Sequence, residues 1–109
     1  MPKIARVWFG KTVSSKADEY FQYVEQTGVR NLLETPGNEG VLLLRSADHE
    51  ITEIGVMSIW ESLNAIQGFA GDDIGRAVYY PEDDRFLLKK EPRVIHYEIS
   101  LAKGIKLGN

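Results

Sequence analysis

Two side chains in this sequence are suited to handling a proton and a negative charge, His96 and Arg6. Histidine titrates near neutral pH and can serve as a general base. His96 lies in an extended run with Val94 and Glu98 on its face, and the alternative is an ordinary strand histidine at an edge or interface. Arg6 shares one face of the opening apolar stretch with Trp8. A permanently charged guanidinium in the middle of a sheet must meet a carboxylate or a bound anion. An Arg6–Glu98 ion pair is the structural option, and a substrate anion is the functional one. Trp8, Tyr79 and Tyr80 are the residues expected to line a pocket. The two tyrosines stand in an irregular stretch where aromatics suit either a pocket rim, with hydroxyls free to orient a ligand, or a dimer contact.

Other candidates have plainer readings. His49 falls in a polar hairpin turn and is solvated. Trp60 ends a strand and reads as a packing anchor. Glu82, Asp83 and Asp84 are consecutive acids that point in different directions, with no second ligand cluster beside them. They read as the acidic first turn of a short helix. No metal site is expected, and no cofactor: the chain has no Gly-rich nucleotide loop, no nucleophile elbow and no paired-histidine motif. It has no cysteine, which removes disulfides and thiolate chemistry. A net charge of -3 supplies no basic field for nucleic acid. There is no long apolar run for a membrane and no hydrophobic signal core, so a cytoplasmic location is expected.

These residues need elements to hold them. At 109 residues the chain is read as one domain, with a core over about 4–101 and a tail over 102–109. Ile4–Phe9 reads as a strand with two chemically different faces. Ser15 and Asp18 resemble a capping box ahead of a helix carrying Ala17, Tyr20, Phe21 and Val24 at helical spacing. Gly28 should bend that helix, and Thr35–Asn38 should end it. Val41–Leu44 reads as a strand buried on both faces, and Ile51–Trp60 as its hairpin partner. Ser62 caps a helix over Leu63–Phe69, and Asp72 or Asp73 caps another turn carrying Ile74, Ala77 and Val78. Pro81 begins a short helical turn reaching Leu88, and Arg93–Leu101 is the last strand. The tail at Lys103–Lys106 is a frayed end or an arm across a partner.

Strand, helix, two strands, helices, strand is a ferredoxin-like βαββαβ order. It gives a four-stranded antiparallel sheet with its helices on one face, an α+β fold. Ile54, Val56 and Trp60 lie on one side of the third strand, Met57 and Ile59 on the other, so both sheet faces are apolar. One helix layer covers one face. A second copy is the natural cover for the other, giving a homodimeric two-sheet barrel with His96 and Arg6 placed inside it.

The runs IARVWFG, KADEYFQYVEQ, TPGNEGVLLLR and MSIWESLNAIQGFAG resemble the antibiotic biosynthesis monooxygenase-like branch of the dimeric α+β barrels. YYPEDDRFLL and EPRVIHYEI resemble a subgroup of its small members, and the likeness runs from Ile4 to about Leu101. The resemblance implies oxygenation of a small electron-rich aromatic, a phenol or hydroquinone, without metal or flavin. Such chemistry asks for a base, an anion stabiliser and a dry pocket. His96 is then the base, Arg6 the anion stabiliser, and Trp8, Tyr79 and Tyr80 the substrate-binding wall. The alternative is a non-catalytic barrel that binds a small ligand or serves as a structural dimer. Haem binding is a further alternative. The haem-degrading relatives use an Asn on the first strand with Trp and His on the second helical region. Here the first strand has no Asn, and the other two positions fall at about Phe69 and at Val78 or Tyr79.

Overall fold

The computed structural model describes residues 2–108. Strand β1 (Ile4–Val13) leads into a 3₁₀ turn (Ser14–Lys16) and a long helix in three parts. These are α1 (Ala17–Val24), a π-helical turn (Glu25–Val29) and α2 (Arg30–Glu34). Then come β2 (Asn38–Ala47), β3 (Ile51–Trp60), α3 (Leu63–Ala70), the short α4 (Asp83–Phe86) and β4 (Ile95–Glu98). The strands form one sheet in the order β2-β3-β1-β4, and every neighbouring pair is antiparallel. This is the ferredoxin-like α+β arrangement expected from the pattern of elements.

Side-chain alternation divides the sheet into two unlike faces. Ile4, Arg6 and Trp8 of β1 stand opposite Trp60, Ser58 and Val56 of β3, on the side that the helices cover. Two groups of buried side chains fill that layer. Tyr20, Phe21 and Val24 of α1 pack with Ile54 and Phe86, while Leu32 and Ile66 close over Ile4 and Trp60. Tyr20, Phe86 and Tyr23 stack in sequence, with Tyr20 and Phe86 centroids 4.8 Å apart.

The opposite face is apolar and has no helix over it. Phe9, Ile95 and Tyr97 are each about half exposed (47%, 56% and 53%). Val7 sits between Met57 and Ile95 on this face. Phe9 lies flat across Gly55, where a Cβ would come within 2.7 Å of its ring, so the glycine is what lets the aromatic lie down.

Several local expectations change. β1 runs on to Val13 because β3 is ten residues long and offers pairing partners as far as Ile51. The Ser15–Asp18 capping box does not form. The helix is entered through a 3₁₀ turn without a side-chain cap, while Ser14 Oγ donates to the Asp48 carbonyl. The bend at Gly28 is a π turn, assisted by Thr27 Oγ1 donating back to the Tyr23 carbonyl at 2.7 Å. β2 is not buried on both faces, since Leu44 on the uncovered side is 37% exposed. Residues 72–78 form no helix. Asp73 instead grips Arg93 at 2.7 Å, and backbone bonds from Ala77 to Pro92 and from Val94 to Gly75 tie this stretch alongside the approach to β4. β4 is shortened to Ile95–Glu98, with one further bond from Ile99 N–H to the Lys3 carbonyl. Ser62 caps α3 as expected, accepting from the Ala65 N–H at 3.2 Å.

Candidate active site

Between the sheet and the helix layer lies a cavity of about 60 Å³. An apolar cavity of about 150 Å³ holds benzene, so this space takes only a few waters, and a ring reaching it extends into the outer groove. The floor comes from Arg6 and Trp8 on β1 with Val56 and Ser58 on β3. Tyr20, Val24 and the π turn at Thr27–Gly28 form one wall, and Phe69, Val78, Tyr79, Tyr80 and Asp83 form the other. A wider outer groove uses Phe69, Val78 and Tyr80 as a shared wall.

Arg6 is the most unusual group here. It is only 4% exposed, and no carboxylate among the described residues pairs with it. The expected Arg6–Glu98 pair does not form, because β1–β4 register sets Glu98 opposite Ile4 and His96 opposite Arg6. The guanidinium donates from Nη1 to the Ile74 carbonyl at 2.5 Å and from Nη2 to the Arg76 carbonyl at 2.9 Å. It also lies 5.5 Å from the centre of the Phe69 ring. Carbonyl dipoles orient the cation without neutralising it. Burial accordingly lowers the Arg6 pKa from 12.5 to about 10.

His96 stands behind Arg6 and outside the cavity wall, its Nε2 3.0 Å from Arg6 Nη1. A guanidinium has donors only, so Nε2 must be the acceptor and the proton sits on Nδ1. Burial, reinforced by the Arg6 charge, holds the imidazole pKa below its ordinary value. The lone pair a base would use is therefore committed to Arg6. The pairing register thus sets His96, the expected base, against the arginine and outside the cavity lining. Both residues also sit on the helix-covered face, so neither lies inside a barrel closed by two sheets.

Trp8, Tyr79 and Tyr80 all reach the cavity, as their types suggest. Trp8 Nε1 donates to the Tyr79 hydroxyl at 3.1 Å, and the rings meet edge to face at 6.1 Å. Tyr79 donates its own hydrogen to the Glu91 carbonyl, so this hydroxyl has no hydrogen left to give a ligand and keeps one acceptor lone pair. Tyr80 accepts from Asn31 Nδ2 at 2.8 Å and keeps its own proton to donate. Burial raises the pKa of both phenols, and they remain neutral.

Sequence reasoning gave Tyr20 and Asp83 no part in the site. Asp83 is 4% exposed, where three consecutive acids suggested only the acidic first turn of a short helix. One carboxylate oxygen accepts from the Tyr20 hydroxyl at 3.0 Å and the other from the Tyr80 backbone N–H at 2.7 Å. Burial raises the Asp83 pKa. Its spacing from Phe86, buried on the same turn, was the available signal, since i and i+3 share a helix face.

No family model matches the chain, and no curated protein sequence matches it. Solved structures do. A candidate antibiotic biosynthesis monooxygenase from Bacillus cereus superposes with a TM-score of 0.65 at 14% identity, over 96% of this chain and 100% of that one. One from Nitrosomonas europaea gives 0.64 at 13% identity, over 94% of each chain. The haem-degrading protein MhuD from Mycobacterium tuberculosis, with two haems in its active site, gives 0.58 at 19% identity, over 93% of this chain and 99% of that one. The chain thus has the fold of the antibiotic biosynthesis monooxygenase-like proteins, in line with the resemblance read from its sequence. At these identities the likeness establishes the fold alone.

Proposed function

We propose that this is a monooxygenase-like protein that oxidises a small electron-rich aromatic, a phenol or hydroquinone, in the cavity headed by Arg6, without a bound cofactor. The observation that carries this reading is a buried guanidinium with no carboxylate partner among the described residues, facing a cavity walled by Trp8, Phe69, Tyr79 and Tyr80 that meets the outer groove. A phenolate is the anion that both the charge and the walls accept. Deprotonation makes the ring a stronger reductant, and Arg6 offsets the charge in a site where low dielectric strengthens the interaction. For a hydroquinone the balance closes without another reductant. The ring supplies four electrons to dioxygen, one oxygen atom enters the ring to give a hydroxyquinone, and the other leaves as water. His96 acts as a positioning residue that holds the Arg6 fork in register.

The alternative of haem binding gains no support from the residues present. The cavity is far too small for a macrocycle, and no His, Cys or Met lines it among the described residues. Tyr79, a conceivable oxygen ligand, has its hydroxyl engaged on both sides.

The uncovered apolar face is the second part of the proposal. A second copy packed sheet to sheet would remove Phe9, Ile95 and Tyr97 from water, and an obligate interface of this kind buries upwards of about 2,000 Å². Oxygen uptake tests the activity: purified protein should accelerate oxygen consumption by at least one member of a hydroquinone panel, with chelator present and no flavin added. Tight binding across the panel with no oxygen consumed would favour a non-catalytic binding barrel instead.

A further inference from the structure

Two buried groups of opposite charge line the same cavity, and neither has an ionic partner among the described residues. Arg6 is held by backbone carbonyls and a neutral imidazole. Asp83, equally buried, is held by one phenol and one backbone N–H. The nearby Lys90 pairs with Asp84, not with Asp83. Burying an unpaired charge is costly, and two such charges facing one space define a ligand that completes both.

We infer that Asp83 is the proton acceptor of this site, and that the cavity selects a small aromatic carrying an anionic oxygen for Arg6 and a separate hydroxyl donor for Asp83. This deepens the proposed function by naming its base and its substrate class, and it rests on that reading of the cavity as the ligand site. The chemistry follows from the donors and acceptors available. Each Asp83 oxygen makes one hydrogen bond in the structure and has a second lone pair open. The three phenols around the cavity are neutral, and the imidazole lone pair is spent on Arg6. Asp83 is the remaining carboxylate on the wall. A ligand hydroxyl set against it donates a charge-assisted hydrogen bond, roughly twice as strong as a neutral one, and on oxidation its proton moves to the Asp83 oxygen. Tyr20, donating to the same carboxylate, steadies its orientation.

Calorimetric binding of three probes tests the inference without any turnover: para-hydroxybenzoate, para-methoxybenzoate and benzoate. All three carry the anion for Arg6, and only the first offers a proton to Asp83. Wild-type protein should bind para-hydroxybenzoate at least about tenfold more tightly than either other probe, the scale of one such bond. Asp83→Asn should shrink that preference to about threefold or less. Equal affinities for the three probes in the wild type, or no binding of any, would overturn the inference without recourse to a variant. A preference kept intact in Asp83→Asn would also overturn it. Oxygen uptake is read separately. A hydroxyl preference with no oxygen consumed sinks the oxidative function and keeps the ligand class, and the converse result sinks the ligand class alone.

Discussion

Replacing Arg6 by glutamine separates a residue kept for ligand binding from one kept for stability. The substitution withdraws donors from the Ile74 and Arg76 carbonyls, and each buried acceptor left unsatisfied costs about 1–3 kcal/mol, so about 2–6 kcal/mol is lost. Against this, the variant no longer buries an unpaired cation. The fall in the Arg6 pKa from 12.5 to about 10 corresponds to roughly 3 kcal/mol that the charged form gives up on entering this site. Together they leave between a gain of about 1 and a loss of about 3 kcal/mol. Anion binding has no such compensation, because the glutamine amide brings no charge. Affinity for benzoate should fall about 100-fold or more, as expected for a lost charge-assisted contact in a dry site. Urea unfolding and calorimetry on the same preparations give both numbers. Destabilisation beyond about 5 kcal/mol, or benzoate binding within threefold of wild type, would show that the carbonyl contacts are the purpose of Arg6 and would refute the reasoning.

Other consequences follow from particular contacts. Gly10→Ala would place a Cβ 2.7 Å from the Trp8 indole and 2.8 Å from Leu87, so it should cost about 1–3 kcal/mol in urea unfolding and shift the tryptophan emission. His96 carries a folded-state pKa below its ordinary 6.5, so between those values the unfolded chain holds a proton that the folded chain does not. Stability should therefore fall as pH drops through 6.5 towards the folded value, and His96→Gln should flatten that slope in unfolding curves measured against wild type. Asp83, with its pKa raised by burial, acts in the opposite sense at lower pH, which is why the comparison with the variant is needed. Phe9→Lys puts a charge at the middle of the uncovered face without touching the helix-side core. It should yield a folded monomer by sedimentation, while the wild type is expected to sediment as a dimer.

The fold was legible because its signals are local and repeated. Alternation along Ile51–Trp60 and helical spacing through Ala17–Val24 each assign a face, and the order of elements leaves one compact sheet. The wall of the site was partly legible, since Arg6, Trp8, Tyr79 and Tyr80 are conspicuous types in positions that a sheet and its adjoining loop bring together. Which groups meet was not legible, because strand register decides it. A shift of two residues would have set Glu98 beside Arg6, and the observed pairing sets His96 there. The side of the sheet was misjudged for a related reason. Both faces of β3 are apolar, so alternation could not tell the helix side from the open one. Asp83 was hidden by its neighbours Glu82 and Asp84, and only the short turn of α4 rotates it inward while they face solvent.

The most direct measurement is a crystal structure of the protein grown anaerobically with a hydroquinone that it consumes in air. The account predicts one ring in the cavity between the sheet and the helix layer, with an oxygen within about 3 Å of the Arg6 guanidinium, the usual hydrogen-bond length, and the Arg6–His96 contact preserved. A ring seated on the uncovered sheet face, or in the cavity but with its oxygens turned away from Arg6, would contradict it.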